Sequence, residues 1–219
     1  YRGLVDAAWG GLQRSGHADD TILLGETARF GDPPRGARIA SNSVTPTLTF
    51  VRELYCLSSR YRPLRGRAAR ARGCPATGAG RARFRADHPG LFDAPGWAHH
   101  PYTLTREPSW RGHGRTDTVI AVINRLGRAI DRSRRAWRSF ARPPLWITEF
   151  GYETRPDPFR AVSFQRQAGW MSWAEFVAFR NRRVASFAQF LLRDDSPVRG
   201  RPARSRGRWV TWQSGLRTA

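Results

Sequence analysis

One apolar run that ends in a single carboxylate is the most suggestive stretch for chemistry. Residues 145–152 read Leu-Trp-Ile-Thr-Glu-Phe-Gly-Tyr, and Pro143 and Pro144 end any helix before them. This pattern predicts a short buried strand with Glu149 near its carboxyl-terminal end. Burying an unpaired charge is costly, so such an acid is either satisfied structurally or used chemically, and both interpretations are open here.

Three further short apolar segments also end in polar side chains. They are residues 21–28 with Glu26, residues 95–102 with His100 and Tyr102, and residues 184–192 followed by Asp194. Amphipathic helices predicted between these segments favour a parallel sheet. In such a sheet the carboxyl-terminal strand ends share one edge, so the polar groups converge with Glu149 and favour its catalytic interpretation.

The elements that must position these groups form one α/β domain over residues 1–219. Helices are predicted over residues 1–15, from a Thr45-Pro46 cap through Tyr55, from a Thr116 or Asp117 cap through Trp137, and from a Ser163 cap to Phe179. Residues 57–93 have little periodicity and many Gly and Arg, so we predict a long basic loop there.

Two adjacent histidines raise the question of a metal. His99 and His100 point to opposite faces of a regular strand, so one of them is expected to be packed or hydrogen-bonded. No third ligand lies at a recognisable spacing, and we predict no metal site.

Length and composition favour a globular protein. The chain has 219 residues, 40% hydrophobic residues and nine Trp. No apolar run approaches the roughly 20 residues of a membrane span. The chain starts at Tyr1 and its only Met is Met171, so a processed product or a fragment is expected.

The formal charge of +21 raises nucleic acid as a partner. All 38 basic residues are Arg, however, and Lys also binds phosphate well, so its exclusion indicates codon bias more than a binding surface. Nucleic-acid binding is therefore the weaker hypothesis. Its best support is the three Arg-rich runs 62–72, 125–142 and 199–208.

Two cysteines, Cys56 and Cys74, flank an Arg- and Gly-rich stretch. In an exported protein they would close it as a disulfide, worth on the order of 3 kcal/mol in the chain-entropy model. The alternative is two free thiols in the cytoplasm. We expect the bridge, and with it a secreted or extracytoplasmic location.

The strand segments, taken in order, resemble the fifth to eighth strands of a retaining (β/α)8 glycoside hydrolase of the clan A type. The matching motifs are Gly25-Glu-Thr-Ala28, Gly96-Trp-Ala-His-His-Pro-Tyr102, Ile147-Thr-Glu-Phe-Gly-Tyr152 and Phe187-Ala-Gln-Phe-Leu-Leu192. The resemblance implies a partial TIM barrel and a carbohydrate substrate, with no organic cofactor. Glu149 would be the nucleophile, with His100, Tyr102 and Glu26 in the sugar subsite. Trp212 would offer a stacking face there or lie in the core.

The sequence departs from that family at the second carboxyl group. The family carries its acid/base as a Glu after an Asn on the fourth strand, and this sequence has no Asn-Glu pair. We therefore expect the acid/base to lie outside this chain, in a longer enzyme or on a partner. Glu26 or Asp194 would otherwise replace it, although the simpler expectation is that each accepts a hydrogen bond from Arg.

The sequence thus predicts a retaining glycoside hydrolase fragment that cleaves a β-glycosidic bond. The alternative is a noncatalytic remnant that binds carbohydrate or a partner chain. Uncovered sheet edges also predict self-association or pairing with the missing half-barrel.

Overall fold

The computed structural model describes residues 1–29, 31 and 45–217, and its centre is a four-stranded parallel sheet. The strands are β1 (Leu23–Ala28), β2 (Gly96–His100), β3 (Leu145–Phe150) and β4 (Val184–Gln189). Neighbouring strands follow chain order, and all three pairings are parallel. The α/β class and the four predicted strands are confirmed, although each strand is shorter than predicted.

Seven α-helices connect or precede the strands in the described part of the chain. They are α1 (Arg2–Arg14), α2 (Thr47–Leu54), α3 (Gly66–Arg70), α4 (Gly78–Asp87), α5 (Pro89–Asp93), α6 (Asn124–Ala136) and α7 (Phe164–Phe179). Short 3-10 turns lie at Ile120–Val122 and Arg206–Arg208. Across the described ranges, no helix has the combination of length and apolar character that crossing a bilayer requires.

The prediction that residues 57–93 form a loop is wrong, because α3, α4 and α5 lie within them. Thr77 begins α4 by accepting a hydrogen bond from the backbone N–H of Gly80 at 3.1 Å, and Pro89 occupies the first turn of α5. The apolar anchors Phe84 and Leu91 are buried but too sparse to produce a helical period in the sequence.

The disulfide prediction is confirmed. Cys56 and Cys74 are bonded, with their Cα atoms 5.6 Å apart. The bridge joins Cys56, which follows α2, to Cys74, which follows α3, and both cysteines belong to the hydrophobic core. It therefore ties the basic segment to the rest of the molecule.

The predicted helix caps have different outcomes. The hydroxyl oxygen of Ser163 accepts from the backbone N–H of Arg166 at 3.2 Å, as expected for the start of α7. The Thr45 cap is wrong, since Pro46 holds the cap position of α2 and no side chain caps it.

The cap predicted at Thr116 or Asp117 is also wrong. α6 begins only at Asn124, after a 3-10 turn. One carboxylate oxygen of Asp117 instead accepts from the backbone N–H groups of His113 and Gly114, at 2.5 and 3.0 Å. A short acidic side chain satisfies a turn within its own loop as readily as a helix end.

The core lies around the two central strands. Trp97 on β2 and Leu145 and Ile147 on β3 are completely buried, as expected for a sheet with helices packed over it. α6 packs against α2, and the indole N–H of Trp137 donates to the carbonyl of Tyr55 at 2.8 Å. Tight packing at the base of β2 and β3 fixes where their carboxyl-terminal ends lie.

Candidate active site at the carboxyl-terminal end of the sheet

Glu149 lies near the end of β3 and keeps 30% of its side chain exposed. The hydroxyl of Tyr102 donates to its Oε2 atom at 3.0 Å, and Nδ1 of His100 is 3.4 Å from the same atom. Oε1 accepts no hydrogen bond from the residues that the structure describes. One oxygen is thus held in place while the other has no hydrogen-bond partner among the described residues.

Glu26 reaches the same site through an irregularity in β1. The register between β1 and β2 shifts between Gly25 and Thr27, and Glu26 has φ of +57°. An extra residue in a strand redirects its side chain, and such bulges are frequent beside active sites. Gly25 permits the irregularity, since a Cβ there would lie 2.4 Å from the carbonyl oxygen of Ala98.

The imidazole of His100 lies between the two carboxylates. Its Nε2 atom contacts Oε2 of Glu26, while Nδ1 faces Glu149. The hydroxyl of Thr148 donates to the same oxygen of Glu26 at 2.9 Å. A protonated ring has a donor on each nitrogen, so His100 can pair with both acids at once.

Tyr102 forms an aromatic stack beside Glu149. Its ring lies 5.9 Å from that of Phe150 and 5.3 Å from that of Trp212, in stacked arrangements. Burial, followed by the charge of Glu149, raises the pKa of Tyr102 above its ordinary value. The phenol therefore stays protonated and remains a donor to the carboxylate.

Trp212 is half-buried, and its ring already has several neighbours. Besides Tyr102, Phe190 meets it edge-on at 5.7 Å and the guanidinium of Arg160 lies 5.3 Å from its centroid. Its role as a sugar platform stays a prediction. In this structure the indole supports Tyr102.

Arg160 connects this aromatic group to two further acids. Its Nε atom is 3.0 Å from Glu153 and 3.2 Å from Asp157, and both carboxyl groups are buried. Burial raises the pKa of Glu153 to about 7, because one guanidinium shared with Asp157 compensates it incompletely. These three residues were not predicted from the sequence, although an acid three residues before an Arg, as with Asp157 and Arg160, is a local signal.

His99 is the structural member of the histidine pair, as expected for one of the two. Nε2 donates to the carbonyl of Thr118 at 2.8 Å, so Nδ1 accepts from the hydroxyl of Thr27 at 2.9 Å. Burial lowers the pKa of His99 to about 4, and the ring is neutral. Both of its nitrogens are occupied, and no group of three or more His, Cys, Asp or Glu among the described residues is arranged to hold a metal ion.

Asp194 does not join the site through any described contact. It is buried, and its Oδ1 atom accepts from the backbone N–H of Gly215 at 2.7 Å, while burial raises its pKa. Among the described residues neither Glu26 nor Asp194 is paired with an Arg, contrary to the expectation from the sequence. Glu26 is paired with His100 and Thr148, and Asp194 with backbone.

Fold and site together describe an α/β chain with a carboxylate–imidazole–carboxylate cluster at the carboxyl-terminal edge of its parallel sheet. No family model and no curated protein matches this sequence.

Solved structures similar to this chain include two β-glucuronidases. The enzyme of Lactobacillus rhamnosus has 16% identity and a TM-score of 0.33, over 58% of this chain and 20% of that one. The enzyme of Dictyoglomus thermophilum has 16% identity and a TM-score of 0.34, over 78% and 32%. The chain thus spans between a fifth and a third of the length of these enzymes.

Proposed function

We propose that this chain carries the nucleophile of a retaining glycosidase and that Glu149 is that nucleophile. The observation that carries the proposal is the asymmetric environment of its carboxylate. Oε2 is held by Tyr102 and faces His100, whereas Oε1 accepts no hydrogen bond from the described residues. An effective nucleophile needs this combination of fixed orientation and one available oxygen. The resemblance of residues 147–152 to the nucleophile strand of clan A glycosidases supports the same assignment.

In the proposed reaction, a carboxylate oxygen of Glu149 attacks the anomeric carbon and the glycosidic C–O bond breaks. The leaving oxygen takes a proton from an acid. Water then attacks the glycosyl-enzyme, gives its proton to the same acid/base residue, and releases the sugar. Tyr102 acts as a positioning residue, because its protonated hydroxyl fixes the nucleophile throughout.

The acid/base belongs, in this proposal, to sequence outside these 219 residues, on a longer chain or a partner. Retaining hydrolysis needs a second carboxyl group about 5 to 5.5 Å from the first. Glu26 is the rim acid nearest in the hydrogen-bond network, but His100 and Thr148 already bind one of its oxygens. With a side chain 57% exposed, Glu26 is better suited to accept hydrogen bonds from sugar hydroxyls.

Labelling with activated 2-deoxy-2-fluoro glycosides tests the nucleophile by itself, because their leaving groups hardly need an acid. We expect intact-mass analysis to show one adduct and peptide mapping to place it on Glu149. Glu149→Gln should abolish the adduct, whereas Glu175→Gln, which changes an exposed acid on α7, should not.

Two results would overturn the proposal. One is an adduct that persists in Glu149→Gln. The other is a chain that is folded by circular dichroism yet unlabelled by a panel of neutral and acidic sugars. The second result would favour a noncatalytic remnant that binds carbohydrate or a partner chain.

We also propose an oxidising, extracytoplasmic compartment for this chain. The Cys56–Cys74 bridge supports it, because such bonds persist mainly outside the cytoplasm.

The edge strands β1 and β4 have no further strand paired to them among the described residues, which supports pairing with another chain. Sedimentation velocity over a range of concentrations would show whether the chain associates with itself.

A further inference from the structure

An arginine-rich cleft lies at the other end of the sheet from Glu149. It opens between α6 and the turn that leads into β4, and its volume is about 600 Å³. Four of the side chains that line it are basic and one is acidic: Arg128, Arg142, Arg182, Arg183 and Asp131. Arg183 immediately precedes β4, which places the cleft at the amino-terminal edge of the sheet.

Asp131 fixes two of these arginines in place. It is 4% exposed and accepts from both terminal nitrogens of Arg183, at 3.1 and 2.6 Å. Nε of Arg142 donates to it at 3.1 Å, and Nε of Arg183 donates to the carbonyl of Pro143 at 2.7 Å. The carboxylate is engaged by Arg142 and Arg183 and has no hydrogen bond or ion pair with the other two arginines.

Arg128 and Arg182 are exposed and have no ion pair or hydrogen bond to another described residue. Four guanidinium groups against one carboxylate leave three positive charges uncompensated in the cleft. A concave surface with charges of one sign focuses the potential and attracts a counter-ion. Guanidinium groups bind phosphate and sulfate in particular, because their planar donors match two oxygens at once.

We propose that this cleft binds a polyvalent oxyanion of the phosphate or sulfate type. Its volume lies within the range of small-molecule sites. Asn124 contributes to the rim, where its Oδ1 atom accepts from Asn181 at 3.1 Å and its own amide N–H groups are donors. Four guanidinium groups line this one cleft with a single acid among them, and Asp131 holds two of the four in place.

Isothermal titration of the full chain with pyrophosphate at low ionic strength tests the site. Arg128→Gln/Arg182→Gln should weaken binding about tenfold or more, because it removes the two cations of the cleft that are not paired with Asp131. The matched control is Arg60→Gln/Arg199→Gln, which changes the net charge equally at two exposed arginines outside the cleft. We expect this control to bind pyrophosphate within about twofold of the unmodified chain. Arg60 and Arg199 do not line the cleft, and salt screens the effect of more distant charges on the bound anion.

Three results would overturn the proposal: no binding of pyrophosphate, equal weakening in both double variants, or unchanged affinity in the cleft variant. Binding of a DNA duplex that depends on Arg128 and Arg182 without any affinity for pyrophosphate would also replace it with a nucleic-acid surface.

A free anion and a sulfate or phosphate ester on a carbohydrate present the same oxyanion to the cleft. A second series of titrations distinguishes these two ligands. Inorganic sulfate is compared with a sulfated disaccharide and its unsulfated form. Tighter binding of the sulfated disaccharide assigns the site to an ester, and tighter binding of the inorganic ion assigns it to a free anion. Either result supports the proposal if the binding is lost in the variant Arg128→Gln/Arg182→Gln. The test does not involve Glu149, so it stands or falls apart from the proposed hydrolase.

Discussion

Carboxylates that lie near the two ends of β3 differ in burial and in pairing. At the amino-terminal end, Asp131 is buried and paired with two arginines, Arg142 and Arg183. At the carboxyl-terminal end, Glu149 and Glu26 keep 30% and 57% of their side chains exposed and share one imidazole. A carboxylate that is fully paired and buried contributes to structure. One that keeps an accessible oxygen can react, and this difference underlies the role proposed for Glu149.

The largest effect should come from breaking the pairing at the amino-terminal end. Asp131→Asn leaves the guanidinium of Arg183, whose side chain is 14% exposed, without its carboxylate. Removing one partner of a buried ion pair costs about 3 to 5 kcal/mol, so we expect a loss of that size in the free energy of unfolding. Chemical denaturation at neutral pH measures it.

Two controls place this loss at Asp131. Asp20→Asn, at a side chain 65% exposed, and Glu26→Gln, at the opposite end of the sheet, should each change the free energy of unfolding by less than about 1 kcal/mol. A loss below about 1 kcal/mol in Asp131→Asn would show that this ion pair does not stabilise the fold.

A second prediction concerns Glu153, which is buried as Asp131 is but shares its one arginine with Asp157. Its pKa is about 7 in the folded chain against an ordinary 4.5, so the folded chain retains a proton that the unfolded chain releases. The contribution of Glu153 to the free energy of unfolding should therefore fall as pH rises from about 4.5 to 7, by on the order of 2 to 3 kcal/mol. His99, with its pKa lowered to about 4, acts with the opposite sign, so its contribution is lost as pH falls from 6.5 to 4.

Glu153→Gln separates the two contributions. It should remove the decline between pH 4.5 and 7 and leave the dependence that comes from His99. Relative to the unmodified chain, the variant should gain stability steadily over that range when denaturation is followed at several pH values. A difference that stays constant with pH would contradict the assigned protonation of Glu153.

Much of the carboxyl-terminal end could be predicted from sequence, and the reasons are physical. Alternating strands and helices fix a parallel sheet, and a parallel sheet places Glu149 and His100 at one edge. The position of Glu26 depends on a bulge at φ +57°, for which Gly25 is only a weak signal. Thr148 and Glu149 are adjacent and should face opposite sides of a regular strand, but the register shift between Ile147 and Phe150 brings both into the cluster.

The amino-terminal end was not predictable to the same degree. Asp131 lies on α6 next to an arginine, and nothing in the local sequence marks it as a buried position. It is buried because Arg183 reaches it from a position 52 residues later in the chain. Pairing between groups so distant in sequence depends on how α6 packs beside β4, and a hydrophobic period carries no information about it.

The smallest effect tests how the carboxyl-terminal end holds its nucleophile. Tyr102→Phe removes the hydroxyl that donates to Oε2 of Glu149 but keeps the ring that stacks on Phe150 and Trp212. A hydrogen bond to a charged group is worth about 1.5 kcal/mol or somewhat more, so we expect the rate of labelling by an activated 2-fluoro glycoside to fall roughly tenfold.

The matched control is Tyr61→Phe, which removes a phenol that has no hydrogen bond to another described residue and whose ring lies under Arg132. It should leave labelling unchanged. Tyr102→Phe should also leave the apparent affinity for the reagent within about twofold, because the lost contact is to the nucleophile and not to the sugar. An unchanged labelling rate in Tyr102→Phe would mean that the phenol supports the aromatic stack alone. A lost affinity with an unchanged maximal rate would instead place Tyr102 in the sugar subsite.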